Sequence, residues 1–365
     1  MTDPAKKPAV VLQFGDGPND GRGRGEAFGM YDNGVWESVL GVQFTPNAGP
    51  RNKQGLTTVE SHAAWLRDHK VDVVIWTLWL QAAPWMGRLK AMVPGLKVIA
   101  LTDHPLNIDL LVTEPNVTAK YLNGLEHADA IMVLTPREAA FYGGIHANVH
   151  YVGLPFPHGA YERLRVERPA PLPKKEVTIG LSVGGPEWAW WDRNFLTTAY
   201  AFRHVVRYAE KHGVTVKGVW LSATSKPDSA VGRMMGGVEG TRVQQRSDME
   251  TYLRTLQGCD LVISNIVRDT PGRLVAESAF FGVPCVGSHT LSLQGELFPT
   301  LAHDPFDIVR TVEASNDLIL KGVPPSLIEN AQRGLREYDY EHSRARFKEV
   351  MASLGLPEEW TTVQP

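Results

Sequence analysis

Short runs of β-branched and apolar residues recur along the first half of the chain, at Ala9–Phe14, Val71–Ile75, Lys97–Leu101, Ala130–Leu134 and Val149–Val152. Such runs, with little polar alternation, mark strands buried on both faces, as in parallel sheets. Between them, Thr57–His69 repeats apolar residues on one helical face, and Val117–His127 fits a helix packed on a sheet. The pattern predicts βα units. From Gly153 to Glu176 the rhythm breaks on Pro155, Pro157, Pro169, Pro171 and Pro173 with interspersed charge, a composition that stops helix and sheet. A linker is predicted at 156–176. Alternation resumes with a strand at Val177–Val183, a helix from about Arg193 to His212 and a strand at Val214–Leu221. Ser247 or Asp248 can cap a helix over Met249–Gln257, Leu261–Ser264 reads as a buried strand, Leu274–Phe281 as a helix closed by Gly282, and Pro284–Gly287 as the next strand. The predicted fold class is α/β, with two doubly wound domains at 1–155 and 177–335 facing across a cleft. Ligands bind at the carboxyl ends of such sheets.

Composition narrows the functional classes. The 365 residues agree with two domains at about 150 residues each. With 43% hydrophobic residues and a net charge of -3, the chain has the make-up of an ordinary globular protein. The charge excludes an overall basic nucleic-acid coat, so nucleic-acid binding would need a local patch. Cys259 and Cys285, both in apolar surroundings, read as buried small hydrophobes rather than as a disulfide or metal pair. The start, MTDPAKK, carries no secretory pattern, and the longest uncharged apolar run, Val73–Met86, is shorter than the ~18 residues that span a bilayer. A cytoplasmic location is expected, with no membrane span; the oligomeric state is left open.

The stretch DLVISNIVRDTPGRLVAESAFFGVPCVG, Asp260–Gly287, carries the clearest chemistry. A buried strand ends in a polar loop, and a helix opens after Pro271-Gly272, with acids at Asp269 and Glu277. The N–H groups and partial positive charge of a helix N-terminus suit a phosphate or diphosphate, and Gly272 lets a ligand approach the backbone. Glu277, one turn beyond Arg273, sets a hydroxyl-accepting carboxylate near a phosphate-binding guanidinium. The pairing suits a nucleoside diphosphate. The bland reading is an ordinary strand-helix segment with two surface acids.

The same stretch resembles the donor-binding signature of the GT-B glycosyltransferases, two acids flanking seven residues ahead of a Gly-x-Pro, here Asp269-x7-Glu277 and Gly282-Val283-Pro284. The resemblance implies two Rossmann-like domains, an acceptor domain followed by a nucleotide-sugar donor domain. It also implies that Glu277 holds the ribose hydroxyls and that Asp269, shorter than the usual Glu, faces the donor sugar. IGLSVGGPEWAWWDRNFLTTAYAF resembles the first strand, Gly-rich turn and basic helix start of that donor domain, with the turn at Gly184 and Gly185 and the basic residue at Arg193. A guanidinium there neutralises the diphosphate leaving group, so no cofactor and no essential metal are expected. Pro186-Glu187 replaces the Arg that often follows the glycine, with Arg273 or Arg268 as compensating cations. Trp188, Trp190 and Trp191 read as core or as stacking platforms. TRVQQRSDMETYLRTLQGCDLVIS is similar to the family's base-reading loop, here near Gln244 and Arg246, and Ile328–Leu354 to its terminal helices, so 336–365 is expected to cross back to the first domain.

Transfer with inversion needs a base on the acceptor side. Thr102-Asp103-His104-Pro105 follows the predicted strand Lys97–Leu101. Asp103 resembles the base of the phage DNA β-glucosyltransferases, and His104 competes with it because retaining enzymes of the fold often keep a His in this region; a loop-capping Asp beside a surface His is the plain alternative. The loop GDGPNDGRGRGEAFG lacks a dinucleotide fingerprint. Its Asp16, Arg22 and Arg24 read as an acceptor or phosphate contact, or as a solvated loop, and with Arg51, Lys53 and Arg88 they allow a local basic rim. The leading expectation is a glycosyltransferase of the hexosyl type that uses a nucleotide sugar, most simply a UDP-sugar. Its acceptor is open, a hydroxymethylated base in phage DNA being one option. A nucleotide-sugar 2-epimerase on the same fold and a non-catalytic nucleotide or sugar receptor are the rivals.

Overall fold

The computed structural model describes residues 7–14, 34–42, 58–78, 83–102, 115–167, 170–182, 193–221, 230–244 and 248–362. The chain divides into two units, Met1–Pro157 with Tyr338–Pro365, and His158–Glu337.

In the first unit the strands are β1 (Ala9–Phe14), β2 (Val73–Leu78), β3 (Lys97–Thr102), β4 (Ala130–Val133) and β5 (Val149–Tyr151). Its helices are α1 (Gly34–Leu40), α2 (Val59–Asp68), α3 (Trp85–Met92), α4 (Pro115–Leu125) and α5 (Pro136–Gly143). The apolar runs have the burial their composition predicts. Val11, Val74, Trp76, Val98, Ala100, Ile131 and Val133 face one layer with residues of α2 to α5, such as Leu66, Met86, Leu89, Tyr121 and Tyr142. Their neighbours in sequence, Val10, Leu12, Val73, Ile75, Ile99, Leu101, Ala130 and Met132, face the opposite layer with Trp36 and Val39 of α1. Alternate side chains point to opposite faces, so a strand covered on both sides has no place for a polar face.

In the second unit the strands are β6 (Glu176–Ser182), β7 (Thr215–Leu221), β8 (Thr241–Gln244), β9 (Leu261–Ser264), β10 (Cys285–Ser288) and β11 (Ala302–His303). The helices are α6 (His158–Glu162), α7 (Phe195–Lys211), α8 (Ala230–Gly236), α9 (Met249–Gln257), α10 (Arg273–Phe281), α11 (Ser292–Leu297), α12 (Ile308–Lys321) and α13 (Pro325–Leu335). The chain then rejoins the first unit through α14 (Tyr340–Ser353) and β12 (Thr361–Thr362). There Phe347, Val350 and Met351 complete the α1 layer, Trp360 donates to Leu40 O at 2.9 Å, and β12 pairs with β1.

Both six-stranded sheets are parallel, in the orders β12-β1-β2-β3-β4-β5 and β11-β10-β9-β6-β7-β8. The Pro-rich stretch reads differently in the structure: His158–Glu162 is helical and belongs to the second unit. Arg165 stacks over the Phe280 ring at 4.7 Å, and Gln257 bonds Leu164 O and Val166 N at 2.9 and 2.7 Å. These tertiary contacts fold a segment that its composition leaves undirected.

One device recurs at the amino ends of both sheets. Asp72, Asp129 and Asp260 each stand one residue before a strand, and each clamps a single residue of the neighbouring strand at two points. Their backbone N–H groups donate to Ala9 O, Val98 O and Thr178 O at 2.9, 2.7 and 2.8 Å. Their carboxylates accept the N–H of the same three residues at 2.9, 2.8 and 2.8 Å. A slip by one residue would break both bonds and turn an apolar set to the wrong face, so the clamp fixes register.

Candidate functional site

In the second sheet, β6 stands beside β9, and crossovers run away from this pair in opposite directions. This is the order in which a parallel sheet opens a crevice at the carboxyl ends of its two central strands, here after Ser182 and Ser264. The chain leaving β9 is firmly held. Asn265, fully buried, accepts from Thr311 Oγ1 at 3.4 Å and lies 3.1 Å from His303 Nε2. Thr290 Oγ1 donates to Ile266 O at 2.6 Å, while Ser292 and Leu293 donate to Thr270 O and Pro271 O at 3.1 and 3.0 Å. A loop pinned at Asn265, Ile266, Thr270 and Pro271 holds the entry to α10 in one geometry.

Gly272, at φ 87° and ψ 65°, stands directly ahead of that helix. A Cβ here would sit 3.0 Å from Leu291 Cβ and 3.3 Å from Val275 Cγ2, so both backbone angle and space call for glycine. Gly282, at φ 72°, closes the other end of the helix. Asp269 is buried in the loop, Arg273 is half-buried in the first turn, and Glu277 is 1% exposed one turn further on.

Glu277 is held by two tyrosines. Tyr161 donates its hydroxyl to Oε1 at 2.8 Å and Tyr252 donates to Oε2 at 2.7 Å. The Tyr161 ring packs against Phe280 and Phe281, with centroids 5.9 and 6.0 Å away. Burial first, and then the negative charge of Glu277, push the Tyr252 hydroxyl well above the ordinary tyrosine value, with Arg273 acting in the opposite direction. Tyr252 therefore remains a donor at neutral pH.

The two parallel-sheet units have known counterparts. The fold is that of the GT-B glycosyltransferases. Sucrose-phosphate synthase from Thermosynechococcus elongatus superposes at a TM-score of 0.69 and 12% identity, covering 95% of this chain and 99% of that one. An E. coli structure described as trehalose-6-phosphate bound with UDP-2-fluoro glucose gives 0.63 and 12%, covering 94% and 92%. The lipopolysaccharide outer core galactosyltransferase WaaB gives 0.63 and 10%, covering 94% and 99%. At such identities the likeness is one of fold. No protein-family model matches the sequence, and no curated protein matches it.

Within the GT-B second unit the structure brings Asp269, Gly272, Arg273 and Glu277 into one loop and helix start. Arg193, half-buried, leads into α7. The next residue, Asn194, takes the left-handed conformation at φ 51° and donates from Nδ2 to Pro305 O at 2.6 Å. Gln244 ends β8 and accepts from Thr255 Oγ1 of α9 at 3.2 Å. Gly184, Gly185 and Arg246 lie outside the described residues, as do Asp16, Arg22, Arg24, Asp103 and His104. Arg51, Lys53, Trp188, Trp190 and Trp191 are outside them too. Thr102, the last residue of β3, is fully buried and donates to Met132 O at 3.3 Å; Asp103 comes directly after it in sequence.

Tyr161 and Tyr252 escape the sequence reading. Tyr161 falls in the Pro-rich stretch, and Tyr252 is one of several polar or aromatic residues on a capped helix; neither carries a local signal for a partner on α10. Both cysteines are free and buried, and burial raises the Cys259 thiol to about 12. Among the described residues no group of three His, Cys, Asp or Glu side chains could hold a metal ion, and no helix is long and apolar enough to cross a membrane.

Proposed function

We propose that the protein is a glycosyltransferase that takes its sugar from a nucleoside diphosphate sugar, a UDP-sugar, bound by the second unit. The carrying observation is the pinned loop after β9, which delivers a left-handed glycine, a helix N-terminus and a buried carboxylate one turn in. A UDP-sugar as donor is supported by the similar E. coli structure bound with UDP-2-fluoro glucose.

In this reading the α10 N-terminus, Arg273 and Arg193 face the diphosphate. The bond between the anomeric carbon and the diphosphate oxygen breaks, a bond to the acceptor oxygen forms, and the acceptor proton passes to a base. Charge develops on the departing diphosphate, where prearranged N–H groups and guanidinium ions lower the barrier without a metal. Glu277 accepts from the ribose hydroxyls, and Asp269 faces the sugar. Asp103, directly after β3, is the proposed base, with His104 as its competitor.

The test is mass spectrometry of reactions containing a panel of UDP-sugars and acceptors, hydroxymethylated DNA among them. Turnover of one donor to UDP and a glycosylated product, abolished in Arg193→Ala and Arg273→Ala, supports the proposal. Release of UDP with the free sugar epimerised at C2, at the same rate with and without acceptor, points to a 2-epimerase. Tight UDP-sugar binding with no turnover points to a receptor, and no binding of any UDP-sugar refutes the donor assignment.

A further inference from the structure

The two tyrosines on Glu277 have a function to explain. A glutamate carboxylate turns about χ3 in a broad, roughly two-fold well. One donor leaves that rotation loosely defined; two donors on opposite oxygens fix the carboxylate plane. Here the donors come from separate helices, α6 and α9, one reaching Oε1 and the other Oε2. The Tyr161 ring is wedged against Phe280 and Phe281, on the same helix as Glu277. Tyr252 comes from the helix before β9, so the hydroxyls approach on two independent supports. A tyrosine hydroxyl is protonated at neutral pH, and burial and the Glu277 charge raise that of Tyr252 further, so it donates.

A carboxylate already fixed in its plane loses little rotational freedom when a ligand hydroxyl docks on it.

We infer that Tyr161 and Tyr252 are positioning residues that hold the Glu277 carboxylate in the plane that receives the ribose hydroxyls of the donor nucleotide, and so set its preference for ribose over deoxyribose. The inference rests on the donor-site reading above and adds to it the residues that make Glu277 selective. Neither tyrosine is assigned a contact with the nucleotide.

The test compares the Kd values of UDP and dUDP by calorimetry for the full chain and for Tyr161→Phe, Tyr252→Phe and Glu277→Gln. Phenylalanine keeps each ring and removes only the hydroxyl. The unaltered protein is expected to bind UDP at least about tenfold tighter than dUDP, the size of one charge-assisted hydrogen bond. Each Tyr→Phe variant should bring that ratio to within about twofold of unity, chiefly by weakening UDP. A purely structural role would weaken both nucleotides together and leave the ratio intact, which overturns the inference. Glu277→Gln, of similar shape, should also lose the preference; if one tyrosine variant does not fold, the other decides the positioning role. The parent reading is judged on the unaltered protein alone: no affinity for UDP sinks the donor site, and equal affinity for UDP and dUDP sinks the ribose role of Glu277. A tenfold ratio that survives in both tyrosine variants sinks only the positioning role.

Discussion

The two glycines that bracket α10 allow a paired test of the anion site. Gly272 and Gly282 both have positive φ, 87° and 72°, at opposite ends of one helix. Replacing either with Ala forces a Cβ into the left-handed region at a cost of roughly 1–2 kcal/mol. At Gly272 the new Cβ also meets Leu291 Cβ at 3.0 Å, so its loss should lie at the upper end of that range or beyond. For a unit of this size a loss of 1–2 kcal/mol lowers Tm by about 2–8 °C. Only Gly272 borders the proposed diphosphate site. The methyl group and the shifted first turn should remove at least one charge-assisted N–H bond, about 1.5–3 kcal/mol, hence about a 10- to 150-fold rise in the Kd for UDP. Urea unfolding and calorimetry below both transitions measure the two effects separately. Gly282→Ala should be destabilised yet bind UDP like the parent, while Gly272→Ala should lose both. Parental UDP affinity in Gly272→Ala, or equal losses of affinity in the two variants, would refute an anion site at this helix end.

The clamps and the reaction carry further expected outcomes. Asp260→Ala strips a 3%-exposed carboxylate from Thr178 N–H and from Lys174, 2.7 Å away, and should cost about 2–4 kcal/mol in urea unfolding; a loss below about 0.5 kcal/mol rejects the clamp. At Asp129 burial works to raise the carboxyl, but the Val98 N–H and the Lys90 and Lys97 ammonium groups outweigh it and hold the group below its ordinary value. Because the folded value lies below the unfolded one, this stabilisation is present above about pH 4 and fades as pH falls through the folded value. The acid limb of the stability curve should accordingly flatten in Asp129→Asn. On the proposed mechanism transfer should continue in a chelating buffer; a requirement for added divalent metal would remove the charge-neutralising role proposed for Arg193 and Arg273. Asp103→Asn should abolish transfer and leave UDP affinity unchanged, whereas full activity would remove Asp103 as the base.

The sheets were legible in the sequence because their strands are covered on both faces. Val73 to Trp76 alternates between two apolar layers, so neither face needs polar residues and the run appears continuous. The loop and helix after β9 were legible for a related reason, since a left-handed turn into a helix calls for glycine at Gly272 and a left-handed stop calls for it at Gly282. What stayed hidden depends on distance along the chain. Tyr161 and Glu277 are 116 residues apart, and α6, at five residues, is too short for an amphipathic period to register. Tertiary contacts fold it, through Phe280, Phe281, Gln257 and Arg165, and propensity cannot announce them. The carboxylate clamps show the same limit: an Asp before an apolar run is visible at Asp72, Asp129 and Asp260, while the strand each one grips is known only once the sheets are assembled.

This arrangement assigns the two ends of β9 to different tasks. At its amino end Asp260 locks Thr178 of β6 by backbone and side chain. At its carboxyl end Asn265 begins the loop that carries Asp269, Gly272 and the entry to α10. Four strand residues, roughly 13 Å at 3.3 Å each, separate the clamp from the site. The clamp lies beyond hydrogen-bonding reach of anything bound at the crevice, yet it fixes the register of the two strands whose ends form that crevice. A slip of one residue between β6 and β9 would displace the loop by about 3.3 Å relative to Ser182, more than a hydrogen bond to a diphosphate can bridge. The acids at the amino ends thus act on the proposed donor site through register alone, which leaves the polar residues at the carboxyl ends available to it.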